Sequence, residues 1–520
     1  MEHMKMHTTN EVNENFEKLA ALFPNAVTET IDKDTGLITR AIDKDILAQE
    51  INGHVVEGKE ERYQFTWPDK KKSILLANTP TTATLRPCRE ESVDFDNTQN
   101  LYIEGDNLEV LKLLKETYLH KVKMIYIDPP YNTGNDFVYE DDFTAESDEF
   151  KEISGDYDNS GNRLVKNLDS NGRFHTDWLN MIYPRLKVAK DLLTEDGVIF
   201  ISIDDNEVEN LKKICNEIFG EHNFEGQIHW RRRHNQPNDK TKMLGLVAEH
   251  VLVYAKNSNY LRNVGVGKID ITGSFSNPDN DPRGPWSTKP WKVGSDQSGS
   301  RYVIETPTGQ VFDEEWMGEE ETYKQLLNDG RIIFPRGGDG FPRKKYFQSE
   351  RAEEGQCATN WWPHEQFGHN QGANDCLTEL MGRKNVFTNP KPIELIRGFL
   401  QVGNTKGNDI VLDFFSGSAS TAHSVMKLNS EERINRKFIL VQLPENLDET
   451  IKAATGKAKI QIQNAIEFLD TIGKPHLITE IGKERIRRAG NKILEENKDK
   501  LATTNGGGSN WQPRCWLPCA

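Results

Sequence analysis

Cysteine is scarce in this chain of 520 residues: Cys88, Cys215, Cys357, Cys376, Cys515 and Cys519 are scattered without a framework. That spacing argues against a disulfide-stapled scaffold, and the thiols are read as reduced. No apolar run approaches the roughly 20 residues needed to cross a bilayer, and MEHMKMHTTNEV at the start lacks the apolar core of a signal peptide. With a mean hydropathy of -0.70, a soluble, cytoplasmic protein is expected. Positive charge is in deficit, 65 Lys and Arg against 81 Asp and Glu, for a net charge of -16. A sequence-blind DNA coat, which depends on neutralising phosphates, is disfavoured by that balance; a locally basic groove on an acidic body is not. The compact C-x-x-C pairing of structural zinc is also missing around Cys357, His364, His369 and Cys376, so no metal is expected there.

What is present begins at residues 124 to 134, MIYIDPPYNTG, where an apolar strand-like run from Met124 to Ile127 delivers Asp128, Pro129, Pro130 and Tyr131. The tetrapeptide suits the gripping of a planar amino group. Asp128 accepts a hydrogen bond from an exocyclic amine, the prolines stiffen the turn so that carbonyls can point inward, and Tyr131 offers a stacking face. A simple loop start after a buried strand accounts for the same residues taken alone. Downstream, IVLDFFSGSAST (410 to 421) is a second apolar strand, ending at Asp413, with small residues around Gly417 opening a helix. Small residues admit a ligand close to the backbone, and the helix N-terminus favours a negative group. The loop has neither the full G-x-G-x-x-G nor Gly-Lys-Ser/Thr, which weakens dinucleotide and triphosphate readings. Just before it, FTNPKPIELIRGFL sets Lys391 between two prolines ahead of an amphipathic helix.

The pairing of DPPY upstream with a PKP element and an FSGSAS loop downstream resembles DNA adenine methyltransferases of the beta arrangement, in which the catalytic segment precedes the cofactor segment. ERYQFTWPDKK (61 to 71), LRPCREES (85 to 92), NLYIEGDNLEVLKLL (100 to 114), HTDWLNMIYPRL (175 to 186) and AEHVLVYAKN (248 to 257) narrow the likeness. Together they are similar to the modification (Mod) subunit of Type III restriction-modification systems, from about residue 15 to about residue 495. The resemblance implies transfer of a methyl group from S-adenosylmethionine to the N6 amine of a flipped adenine in duplex DNA. It implies catalytic roles for Asp128, Pro129, Pro130 and Tyr131, and cofactor contacts for Asp413, Phe415, Ser416, Gly417, Ser418 and Ala419. Lys391 is expected to reach the methionine carboxylate, Asp106 and Asn107 to border the pocket, and Gln442 to bond ribose hydroxyls. A plain helix N-cap explains Asp106 and Asn107 as readily. Double-stranded DNA, a homodimer and a separate restriction (Res) subunit are the implied partners. Cytosine N4 methylation is the nearest rival, favoured where Ser or Thr stands in place of Asp128; an inactive DNA-binding or assembly subunit is another.

Alternating strands and helices imply a doubly wound, Rossmann-like parallel α/β sheet assembled from two blocks, 96 to 225 and 381 to 470, the order of motifs being circularly permuted. Residues 1 to 95 read as an N-terminal cap, and 226 to 380, rich in Gly, Pro, Trp and Asn, as an inserted target-recognition domain. Arg231, Arg232, Arg233, Lys240 and Lys242 are its candidate DNA-binding wall, an ordinary solvated charge run being the bland alternative. Residues 471 to 520 close with a helical segment and then LATTNGGGSNWQPRCWLPCA, an ending expected to reflect a frameshift, a truncation or a flexible tail.

Overall fold

Near-continuous apolar runs such as Val122–Ile127, buried along their whole length, belong to strands covered on both faces. In the computed structural model, which describes residues 11–31, 38–51, 65–133, 137–140, 163–166, 173–236, 240–241 and 243–497, such runs form one mixed eight-stranded sheet. Its strands are β1 Leu101–Glu104, β2 Val122–Ile127, β3 Leu193–Ile203, β4 Phe224–Arg231, β5 Ala248–Ala255, β6 Trp361–Trp362, β7 Ile410–Asp413 and β8 Lys437–Gln442. They lie in the order β6-β4-β5-β3-β2-β7-β8-β1. Every pairing is parallel except those of β5, which runs antiparallel to both β3 and β4. The expectation of a purely parallel sheet therefore fails at one strand. β3 and β4 point the same way and leave a slot between them, and the chain fills it by doubling straight back rather than through another crossover.

Successive side chains of β2 point to opposite faces, so each face acquires its own helices. Ile125 and Ile127 join a core with Leu108, Leu111, Trp178, Ile182, Leu211 and Ile214. These come from α1 Asn107–Tyr118, α2 Phe174–Leu192 and α3 Val208–Phe219. In α3 the buried positions, Val208, Leu211, Ile214, Cys215, Ile218 and Phe219, recur at the spacing of one helical face. On the other face Tyr126 meets Phe399 of α4 (Ile393–Val402) at 5.2 Å between ring centroids, and Phe399 also stacks on Phe200 and Trp362. Two further helices, α5 Ser420–Glu432 and α6 Ile478–Glu496, pack against one another beside α4. The cap region contributes a strand pair, Val27–Ile31 with Ile38–Ile42, and the helix Lys70–Asn78, which packs on α2. Trp67, just before that helix, donates its indole N–H to Asn180 at 2.7 Å.

Two boundaries differ from the sequence reading. The compact second unit is Gly267–Ala358, not 226 to 380, because β4, β5 and β6 are strands of the central sheet. By itself that unit holds the strands Trp286–Pro290, Arg343–Phe347 and Ile332–Ile333, and a hairpin of Ser300–Glu305 with Val311–Trp316. Trp291, Ile304, Trp316, Tyr323 and Ile332 form its core. The helical segment read as lying beyond the core is α6, which belongs to the first unit. A Cβ added to its Gly482 would lie 2.9 Å from the Tyr102 hydroxyl and 3.2 Å from the Gly417 carbonyl. Residues 501 to 520 lie outside the described residues. No described helix is long and apolar enough to cross a membrane.

Phe399 is fully buried among three aromatic rings. Phe399→Ala is expected to cost about 3–5 kcal/mol, read as a lowered unfolding midpoint in urea.

Candidate active site

The pairing of β7 with β2, Val411 opposite Met124 and Leu412 opposite Ile125, brings the carboxyl ends of two distant sequence blocks side by side. Asp413 ends one strand and Asp128 follows the other. This is the edge where open α/β sheets place ligands.

Asp413 is 2% exposed and spends its carboxylate on the loop that follows. One oxygen accepts the Phe415 N–H at 3.1 Å and the other the Thr421 hydroxyl at 2.5 Å. Burial pushes its pKa up to about 7, opposed by those hydrogen bonds and aided by the negative charge of Asp128. The loop is held from several sides. Ser416 N–H reaches the Val441 carbonyl, and Gly417 N–H reaches the Gln442 side-chain oxygen at 2.8 Å. Gly417 has φ +48°, and a Cβ there would approach the Phe387 ring to 3.1 Å, so both conformation and space call for glycine. Ala419 begins α5 at φ 59° with no side-chain cap, leaving its first N–H groups to the loop. From below, buried Arg485 of α6 donates to the hydroxyls of Ser418 and Ser420 at 2.8 and 2.6 Å. Burial lowers its pKa to about 10. The Ser416 hydroxyl is buried with no hydrogen-bond partner among the described residues.

Of the residues expected to border this pocket, Asp106 is the N-cap of α1, accepting from Leu108 and Glu109 N–H and from Arg185. Asn107 donates to the Phe414 carbonyl at 3.0 Å and accepts from Arg185 Nε. Asn107 thereby ties α1 to the base of the loop, and Arg185 links both residues to α2. Gln442 supports Gly417 through its side-chain oxygen.

At the end of β2, Trp178 donates to the Pro130 carbonyl at 2.7 Å, and Asn132, at φ 58°, bonds Glu207, which locks the turn after the strand. Lys391 stands here rather than at the loop. Its ammonium lies 2.7 Å from each Asp128 oxygen and 2.8 Å from the Tyr131 hydroxyl, with the Tyr131 ring centroid at 5.0 Å. Tyr131 donates to Asp128 at 2.8 Å and lies 3.2 Å from Glu249. Glu249, from β5 and 3% exposed, completes the cluster at 3.5 Å from Lys391 and binds Arg232 at 2.7 Å through its other oxygen. Burial raises the Asp128 pKa and Glu249 adds to the rise, while Lys391 and the Tyr131 hydroxyl oppose it. Burial works to discharge Lys391, but Asp128 and Glu249 outweigh it and keep the ammonium protonated. Tyr131 is held well above its ordinary value, chiefly by burial, and stays a neutral phenol. Sequence reasoning missed Glu249; the available signal was a carboxylate inside the mostly apolar strand AEHVLVYA.

The expected DNA-binding wall divides. Arg232 is committed to Glu249, and Arg231 points a weak contact at the His234 carbonyl. Arg233 and Lys240 are exposed, and Lys242 lies outside the described residues.

A family described as DNA methylase, of the N6/N4 type, matches residues 122–473. The StyLTI Mod subunit of a Type III restriction-modification enzyme from Salmonella typhimurium is 37% identical over 84% of this chain and 64% of its own length. The EcoP15I Mod subunit from Escherichia coli is 32% identical over 83% of this chain and 71% of its own length. Among solved structures, the cytosine-N4-specific PvuII DNA methyltransferase aligns with 72% of this chain and 94% of its own, at 13% identity and TM-score 0.34. The chain belongs to the DNA methylase family, in its branch of Type III Mod subunits. It spans about two thirds of the length of the Mod relatives it matches.

Asp413 binds its proton more tightly folded than unfolded, so its contribution to stability falls as pH rises from its unfolded value near 3.8 through about 7. Asp413→Asn, which cannot ionise, should therefore gain stability relative to the wild type as pH rises across that window. Thermal midpoints of both proteins measured against pH test this, and a constant gap would refute it.

Proposed function

We propose that this chain transfers a methyl group from S-adenosylmethionine to the N6 amine of adenine in a specific DNA sequence, as the modification subunit of a Type III restriction-modification system. The observation that carries the proposal is a half-buried Asp128 carboxyl, clamped by Lys391 and Tyr131 at a strand end, beside the Asp413 loop on the neighbouring strand.

The loop suits the donor. Its uncapped helix start favours the methionine carboxylate, and the unpartnered Ser416 hydroxyl and the close-packed Gly417 backbone offer polar contacts at short range. When bound, S-adenosylmethionine supplies a methyl group already activated on a sulfonium. The remaining work falls to the protein. An adenine must leave the duplex stack to reach a site at a sheet edge. Asp128 then accepts from the N6 amine, and the Pro129 carbonyl serves as the second acceptor, since the Pro130 carbonyl is taken by Trp178. These acceptors draw the lone pair out of conjugation with the ring and aim it at the methyl carbon. As the new N–C bond forms, the C–S pair would stay on sulfur, and the amine proton would pass to water. Holding both reactants in line supplies the rest of the acceleration. Asp at the head of the tetrapeptide supports adenine over cytosine.

The Gly267–Ala358 unit is the proposed reader of the DNA sequence, its Arg, Lys, Asn and Gln side chains supplying groove-reading donors and acceptors. Partners under this reading are double-stranded DNA, a second copy of the chain and a Res subunit that cuts.

Asp128→Ala should lower tritiated methyl incorporation into unmodified genomic DNA by at least about 100-fold, and digestion of wild-type product should yield N6-methyladenine. Near-normal turnover by Asp128→Ala, or N4-methylcytosine in the digest, would reject the assignment. Exchanging residues 267–358 for those of a relative should move the modified sequence, as read by long-read sequencing of host DNA; a fixed sequence would reject that role for the unit.

A further inference from the structure

Lys391 is 8% exposed and faces two carboxylates, yet treats them unequally: 2.7 Å to each oxygen of Asp128 and 3.5 Å to Glu249. An ammonium has three donors. Both Asp128 oxygens and the Tyr131 hydroxyl lie within 2.8 Å of it, so Glu249, at 3.5 Å, is its more distant and weaker partner. Arg232 occupies only the far oxygen of Glu249, and the near one faces Lys391 and Tyr131. The site thus holds a cation that an incoming donor on Asp128 would displace, with a second seat less than 1 Å further from it than the first.

Resting on the methyltransferase reading above, we propose that Glu249 is a positioning residue that takes over the Lys391 ammonium when the substrate amine takes Asp128. Before substrate binds, Lys391 neutralises Asp128 and weakens it as an acceptor. When the adenine N6–H reaches Asp128, one ammonium donor is released and turns to the near oxygen of Glu249. The buried positive charge stays paired throughout, and Asp128 recovers acceptor strength at the moment it is needed. No proton moves and no bond is made in this exchange. Without Glu249, the released donor would have no carboxylate to turn to, which keeps Lys391 on both oxygens of Asp128.

The charged and titratable groups that bear on Asp128 come from every strand around it: Tyr131 on its own turn, Lys391 before α4, Glu249 on β5, Tyr126 on β2 and Asp413 on β7. Glu249 in turn faces Arg232, Lys391, Tyr131 and Asp204. Of the groups acting on Asp128, Glu249 raises its pKa and Lys391 lowers it. Removing the Glu249 charge therefore lets Asp128 ionise at lower pH, while pinning Lys391 to it and slowing the reaction.

The test measures methyl transfer from tritiated S-adenosylmethionine to unmodified genomic DNA, for the wild type, Glu249→Gln and Glu249→Asp, across pH, with cofactor affinity by calorimetry. For Glu249→Gln the expected result is a kcat lower by about 100-fold, an unchanged cofactor Kd, and an acid limb moved to lower pH. Glu249→Asp should recover part of the rate. The unchanged Kd shows that the variant is folded, and a purely structural role would leave the acid limb in place. An active wild type with Glu249→Gln matching it in rate and profile, or slowed with an unmoved acid limb, overturns this inference alone. A wild type that methylates nothing overturns the methyltransferase reading and this inference with it.

Discussion

The parallel pairing of β7 with β2 is the constraint on which the rest depends. It welds two sequence blocks, separated by strands β3 to β6 and by the whole Gly267–Ala358 unit, into one sheet. Because strand register fixes which residues reach the edge, Leu412 opposite Ile125 decides that the Asp413 loop and the DPPY turn share a single rim. Apolar side chains on both faces make the pairing stable, and the polar residues concentrate where the strands end.

At that rim the two carboxylates have been given different work. Asp413 is an organiser whose oxygens face inward to Phe415 and Thr421, and Asn107, Gln442 and Arg485 hold the same loop from three other directions. Asp128 instead sits among side-chain donors, a lysine and a phenol, in a cluster whose two acids and two bases offset one another. A buried charge costs much unless paired, and pairing with a flexible ammonium leaves the carboxylate available for exchange. Under the proposed function the two are complementary: the loop would hold the cofactor and the cluster would give way to the base.

The helix α6 shows how far support for the rim extends. Its Gly482 lies close against the Gly417 carbonyl and its Arg485 against Ser418 and Ser420, so a segment remote from both motifs shapes the loop directly. Lys483, on the same turn, is buried against Glu91, Glu104 and Glu480, and it ties the cap region to β1 beneath it.

By itself the sequence determined the local elements. The apolar run read from Met124 to Ile127 and the one read as ending at Asp413 are both strands of the central sheet, because apolar spacing is a property of adjacent residues. It also determined that Asp128 and Asp413 follow buried strands, and its motifs carried the family. The folded chain alone decided the rest. Lys391 was assigned to the loop that follows it in sequence, but it bonds Asp128 across a separation of 263 positions. Arg232 was read as part of a candidate DNA-binding wall and forms an ion pair with Glu249, a residue the sequence reading did not single out. The antiparallel turn of β5 and the true limits of the second unit were likewise invisible, since strand direction and domain membership are set by non-local pairing. Neighbouring residues dictate dihedral preference and periodicity; which charges meet is fixed only when distant strands take their register.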